Sequence, residues 1–184
     1  FLGVPDGSLR SSYEHCGDIV RKADALGYQN ILLPSGWIAG QDALAAVYAA
    51  QRELVALARG KPTFQWIEAD PMGVCWGLDP SPPVVRAETW LAVAGGARGI
   101  GYFPENWKPA VRAEITRLNA ELRSLAPALL GPELGVSVES PSKVVAGGRS
   151  YNGALYVIAV NPTFTRTSAR FTIVGLGDRA LRVW

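Results

Sequence analysis

The hydrophobic and polar positions of residues 1–130 follow two alternating periodicities. Short apolar runs typical of buried strands are each followed by a longer segment with apolar residues at every third or fourth position, as on one face of a helix. The strand-like runs are FLGV (residues 1–4), NILLPSG (30–36), TFQWIEA (63–69) and GIGYF (99–103). Apolar strands that alternate with helices predict an α/β fold with a parallel sheet covered by helices.

The intervening segments predict helices at about residues 12–26, 41–60, 82–97 and 109–126. Gly27 and Gly60 lie at the expected helix ends, and Pro109 occupies a favoured first position. A complete (β/α)8 TIM barrel needs about 250 residues. The four strand–helix units of residues 1–131 therefore predict a partial barrel, at most half of one.

The pattern changes after residue 131 to short strands and turns. Asn152-Gly153, between two strand-like runs, predicts a tight hairpin because both residues accept positive φ angles. Residues 132–184 are predicted to form a second, antiparallel β-sandwich-like domain. About five strands are few for a β-sandwich, so this domain is expected to be truncated.

Composition excludes several classes of function. The net charge is only +2 and the basic residues are scattered, which argues against nucleic-acid binding, and no apolar run is long enough to cross a membrane. One histidine and two separated cysteines make a zinc site improbable. Cys16 and Cys75 are expected to be buried thiols rather than a disulfide, because no disulfide-rich framework is present.

Functional groups of parallel α/β proteins gather where the strands end. Carboxylates and tryptophans lie at these positions or close to them: Asp6, Trp37, Trp66, Glu68, Asp70, Trp76, Glu105 and Trp107. Aromatic rings stack on sugar rings, while carboxyl groups bind hydroxyls or act at the anomeric carbon. The combination predicts a carbohydrate site.

Most of these side chains also have a structural explanation. The tryptophans suit packing, Asp6 suits a turn, Asp70 precedes a proline, and Glu105 suits the start of a helix. Glu68 differs because it ends the most apolar strand, where a capping role does not require a carboxylate. We therefore expect Glu68 to be functional.

The stretches KPTFQWIEA, RAETWLAVAGGARGIGYF, LNAELRSLAPALLG and YVIAVNPT resemble the carboxyl-terminal half of a (β/α)8-barrel glycoside hydrolase with an appended β-sandwich. The resemblance is to the β-galactosidase-like families of the clan that uses two glutamates. It makes the four units the fifth to eighth of a barrel and places Glu68 at the nucleophile position. No residue matches the fourth-strand acid/base, for which Asp6 is a secondary candidate.

The resemblance implies retaining hydrolysis of O-glycosidic bonds in oligo- or polysaccharides, with no cofactor and no metal. The chain alone is then expected to be weakly active or inactive, because the acid/base is missing. Unpaired sheet edges predict association with the missing barrel half or a second copy. Such enzymes are often secreted, which favours an extracellular or periplasmic location. The alternative is a non-catalytic carbohydrate-binding or assembly module on a degenerate barrel.

Overall fold

The computed structural model describes residues 31–34, 43–70, 80–103, 106–163, 165–177 and 182–183. Its first part is a parallel sheet in the order β1-β2-β3, in which each strand precedes a helix. The elements are β1 (Ile31–Pro34), α1 (Ala43–Leu57), β2 (Thr63–Glu68), α2 (Pro82–Gly95), β3 (Gly99–Phe103) and α3 (Pro109–Leu129). The predicted strand–helix alternation is confirmed over these residues.

The second part is antiparallel. It contains β4 (Glu133–Leu134), β5 (Val136–Glu139), β6 (Val145–Tyr151), β7 (Ala154–Val160) and β8 (Arg170–Ile173), arranged as a three-stranded sheet β4-β6-β7 and a pair β5-β8. Asn152 and Gly153 join β6 to β7 with φ angles of 47° and 73°. The predicted hairpin is confirmed, because both residues adopt the positive φ that the turn requires.

The helix ends follow local chemistry. Pro82 and Pro83 occupy the first turn of α2, and Gly96 closes it with φ 107°, donating its N–H to backbone carbonyls of the last turn. Helix α3 extends to Leu129, three residues beyond the predicted end, and includes Pro127. A proline in the last turn removes one hydrogen bond without interrupting the rest of the helix.

Helix α2 is the centre of the core. It packs against α1 and α3 at its sides and against strands of both the parallel sheet and the β6–β7 hairpin. Gly147 on β6 permits this close approach, since a Cβ there would lie 2.2 Å from the carbonyl oxygen of Ala94. Ile158 and Val160 of β7 join the same apolar cluster as the helices. The antiparallel strands therefore help to bury α2.

The structure confirms the mixed α/β class, and the three sheets of the described residues remain open. The division into domains at residue 131 stays a prediction. The predicted strand at 1–4 and helix at 12–26 lie outside the described residues. Arg182 and Val183, which are described, belong to no strand. Among the helices described, none is long and apolar enough to cross a membrane.

Candidate functional site

Strand β2 carries Glu68 at its carboxyl end, as the sequence predicts. Thr63, Gln65 and Ile67 alternate with the half-buried Phe64 and Trp66 along this strand. Glu68 is only 8% exposed. It is paired in register with the last residue of β3, so its carboxyl group lies at the edge where the parallel strands end.

Two glycines of β3 make room for the aromatic side chains of β2. A Cβ on Gly99 would lie 2.2 Å from the ring of Phe64, and one on Gly101 would lie 2.6 Å from the ring of Trp66. Trp66 also meets Phe103 edge to face, with ring centroids 6.1 Å apart. The GIG sequence therefore sets up a continuous aromatic face that runs toward the carboxyl edge of the sheet.

A second buried carboxyl group, that of Glu88, lies on α2 and interacts electrostatically with Glu68. It is 6% exposed, and its Oε2 has no hydrogen-bond partner in the described part of the chain. Burial, reinforced by the negative charge of Glu68, raises the pKa of Glu88 from 4.5 to about 8. At neutral pH the Glu88 side chain is therefore mostly a neutral carboxylic acid.

Sequence reasoning missed Glu88, although its spacing carried a signal. Val84, Val85, Leu91 and Ala92 form the buried stripe of α2, and Glu88 lies in the middle of that stripe at helical spacing. A carboxylate at a core position of a helix is costly unless it is paired or neutral. The criterion that identified Glu68, a carboxyl group at an otherwise apolar position, also applies to Glu88.

After the end of β3, an aromatic ring and the guanidinium group of an α3 residue lie next to each other. Trp107 meets Tyr102 edge to face at 6.1 Å, and the guanidinium of Arg112 lies 5.8 Å from the Trp107 ring centroid. Burial raises the pKa of Tyr102, although the neighbouring Thr89 hydroxyl acts in the opposite direction. The Tyr102 hydroxyl is buried and makes no hydrogen bond of normal geometry with any described residue.

Of the remaining candidate residues, Asp70 belongs to the described part of the chain. Asp70 is half-buried two residues beyond Glu68. The other sequence-predicted residues lie outside the described part of the chain: Asp6, Trp37, Trp76 and Glu105, together with Cys16 and Cys75. The described residues contain no group of three or more His, Cys, Asp or Glu side chains that would hold a metal ion.

A network of ion pairs joins α2 to α3. Arg86 binds Glu121 through two hydrogen bonds of 2.8 and 2.9 Å and Glu114 through one of 2.5 Å, and Arg117 also contacts Glu114. Burial alone would raise the pKa of Glu114, but the hydrogen bonds from Arg117 and Arg86 outweigh it and lower that pKa. Every carboxylate of this network has an arginine partner, so we assign it a structural role.

Arg149 is a second buried cation with a structural explanation. Its Nε donates to the carbonyl of Leu129 at 3.1 Å, and its Nη1 donates to the carbonyl of Gly148 at 2.8 Å. The Glu133 carboxylate lies 3.8 Å away. Since a cation is favourable at a helix carboxyl terminus, Arg149 holds β6 against the end of α3.

Comparison with known proteins gives two curated relatives. One, from Agrobacterium fabrum, is 66% identical over 47 residues, which are 26% of this chain and 12% of the relative. The other, from Novosphingobium aromaticivorans, is 52% identical over 59 residues, which are 31% of this chain and 16% of the relative. Both are named sulfoquinovose monooxygenase. The chain thus spans about an eighth to a sixth of the length of these relatives. No family model and no solved structure matches the chain.

These relatives overturn the resemblance to a glycoside hydrolase. They are named as oxidative enzymes, so the expectation of retaining hydrolysis, and with it the description of the chain as a hydrolase or glycosidase, is wrong. The expected secretion rested on the same resemblance and is withdrawn with it. The alternative of a non-catalytic carbohydrate-binding or assembly module gains no support from the two relatives. The nucleophile role of Glu68 depended on hydrolysis, whereas the position of Glu68 as a functional residue stays a prediction.

Proposed function

We propose that the chain is part of a monooxygenase that oxidises a sulfonated sugar of the sulfoquinovose class. The observation that carries this proposal is the 66% identity over 47 residues with a relative of that name. A second relative of the same name, from another genus, matches at 52% over 59 residues. The proposal keeps a sugar as the ligand and replaces hydrolysis by oxidation.

We further propose that β1, β2 and β3, with their helices, are successive units of a (β/α)8 barrel. The parallel order β1-β2-β3 and the helix after each strand support this proposal. In such an architecture the reaction takes place at the carboxyl edge of the strands. Glu68 and Phe103 end two neighbouring strands, which supports a site at this edge of the described sheet.

The groups near this edge suit a sulfonated hexose. Trp66 and Trp107 offer indole faces for the C–H surfaces of the sugar ring, and Asp70 offers a carboxylate for its hydroxyls. Arg112, beside Trp107, offers a guanidinium for the sulfonate, an anion with the oxygen geometry that arginine binds well. Trp37, Trp76 and Glu105 remain proposed substrate-binding residues.

The proposed reaction consumes protons and electrons. One atom of O2 enters the substrate and the other leaves as water, with two electrons and two protons supplied for each turnover. The expectation that no cofactor is needed came from hydrolysis and does not carry over, because a two-electron donor must be present. Buried carboxyl groups at the edge of the sheet suit the delivery of protons.

Oxygen uptake by the full-length protein tests the proposal. With reducing equivalents supplied in turn by NADH, NADPH and a reduced flavin, we expect uptake that depends on sulfoquinovose and is absent with glucose. Glu68→Gln is expected to lower the turnover about 100-fold, since general acid–base groups contribute roughly that much. Glu139→Gln, on the exposed face of β5, is the matched control and should leave the rate unchanged. Cleavage of aryl glycosides without oxygen uptake would overturn the proposal.

A further inference from the structure

Two buried carboxyl groups from different elements lie close enough to interact electrostatically near the carboxyl edge of the sheet. Glu68 ends β2 and Glu88 lies on α2, which packs against β2. They are 8% and 6% exposed, respectively. Glu68 stands at the edge where substrate is proposed to bind, whereas Glu88 belongs to the buried face of α2. The pair thus links the proposed site to the interior.

Within the described part of the chain, one carboxyl oxygen of Glu88 lacks the hydrogen-bond partner that a purely structural side chain would have. Buried polar atoms are almost always hydrogen-bonded, and an orphan one costs roughly 1–3 kcal/mol. Glu88 Oε2 has no such partner among the described residues. This atom can instead hold a bridging water or a proton that is passed on.

Among the described titratable side chains, Glu68 is the electrostatic neighbour of Glu88. The elements packed against α2 carry these buried or half-buried titratable side chains: Tyr48 on α1, Glu68 on β2, Tyr102 on β3, Glu114 and Glu121 on α3, Arg149 on β6 and Tyr156 on β7. Arg86 on α2 itself is bound to Glu114 and Glu121. Of all these groups, Glu68 is the one whose charge acts on Glu88. Two carboxyl groups in such a site cannot both ionise readily, so the pair retains one proton near neutral pH.

We infer that Glu68 and Glu88 are a proton relay, in which Glu88 stores a proton that Glu68 delivers to the reacting oxygen at the carboxyl edge. This inference rests on the proposed oxidation, which consumes two protons per O2. Glu68 is ionised while Glu88 holds the shared proton; Glu68 takes that proton from Glu88 through a bridging water and gives it to the reduced oxygen. Glu88 is left ionised and regains a proton from solvent, after which the relay delivers the second proton of the turnover in the same way. Glu88 is thus a positioning and proton-storing residue behind Glu68.

An infrared titration of the full-length protein tests the relay without substrate. We expect a carbonyl band of a protonated carboxyl group that disappears with a midpoint near pH 8 in the wild type. This band should be absent in Glu88→Gln. In Glu68→Gln its midpoint should fall, because a negative neighbour has been removed, but remain above 4.5, because burial persists. In Glu139→Gln the band should be unchanged. A wild-type protein without a carboxyl group that titrates between about pH 6 and 9 overturns the inference.

Steady-state kinetics then separate the relay from a structural role. The turnover rate of the wild type should fall on the alkaline side with an apparent pKa near 8, and Glu88→Gln should lose this limb and turn over at least about 10-fold more slowly at pH 7. Glu88→Gln with wild-type turnover and pH profile would refute the relay. A carboxyl titration near pH 8 in a protein without any oxygen uptake would contradict the proposed function. It would still support a proton shared between Glu68 and Glu88.

Discussion

At the residue scale, the decisive feature is a carboxyl group at a position where a charge is expensive. Glu68 was identifiable from the sequence because it interrupts an apolar strand at its carboxyl end. Glu88 met the same criterion on a helix, but its partner could not be identified, since the proximity of α2 to the end of β2 depends on tertiary packing. The pairing of Gly99 and Gly101 with Phe64 and Trp66 likewise depends on the register between two strands.

Replacement of Glu88 by glutamine should stabilise the protein at alkaline pH. The folded-state pKa of Glu88 is raised from 4.5 to about 8, so the folded protein binds this proton more tightly than the unfolded chain. The contribution of the Glu88 proton to stability is therefore fully present below about pH 4.5 and is lost as the pH rises toward 8. We expect Glu88→Gln to match the wild type at pH 5 and to exceed it by on the order of 3 kcal/mol at pH 9. Urea unfolding at the two pH values measures this. A constant difference between the variants at both pH values would contradict the raised pKa.

At the scale of the elements, the sequence predicted most of what the structure shows. The helix predicted at residues 109–126 is confirmed as α3, and its regularly spaced apolar residues face the core: Val111, Ile115 and Leu118 are buried, and Leu122 and Leu125 pack against the core. Such stripes are visible because they depend only on the helical repeat. The ion pairs that join α2 to α3 were not predicted, since they depend on the register between two helices that are 13 residues apart in the chain.

Removal of the arginine that joins α2 to α3 should destabilise the protein. Arg86→Met leaves the buried Glu114 with Arg117 as its arginine partner and removes both hydrogen bonds to Glu121. We expect a loss of about 2 kcal/mol, less than for a fully buried pair because Arg86 is 38% exposed. Arg123→Met, on the exposed face of α3, is the control and should change stability by less than about 0.5 kcal/mol. Unfolding of both variants in urea provides the comparison.

The stability of Arg86→Met at acidic pH provides a second test of these ion pairs. Hydrogen bonds from Arg86 lower the pKa of Glu121, and those from Arg117 and Arg86 together lower that of Glu114 despite its burial. Their contribution to stability is therefore present above the ordinary carboxyl pKa of 4.5 and is lost as the pH falls through the lower folded-state values. The difference between wild type and Arg86→Met should shrink below about pH 4. A difference that grows on acidification would be incompatible with these ion pairs.

At the scale of the whole molecule, the fold class was predictable and the activity was not. Alternating strands and helices determine a parallel sheet covered by helices, but many unrelated reactions use that architecture. Carboxylates and indoles at strand ends indicated a sugar ligand, and they suit a sugar that is oxidised as well as one that is hydrolysed. The resemblance to a glycoside hydrolase drew on strand and helix motifs, whereas the relatives are named as monooxygenases.

The proposed association with a missing barrel half or a second copy also belongs to this scale. Within the described residues, β2 is the central strand of the parallel sheet, and β1 and β3 each pair with β2 alone. A strand with one partner leaves backbone groups available for another strand. In a complete (β/α)8 barrel, further parallel strands would take both positions.

The most direct test of the account is oxygen-isotope labelling in the full-length protein. The protein is supplied with sulfoquinovose, a two-electron donor and 18O2, and the sugar-derived product is examined by mass spectrometry. We predict that the product gains one 18O atom per turnover and that the other atom appears in water. A product that takes its new oxygen from labelled water instead, with no incorporation from 18O2, would contradict the proposed monooxygenase.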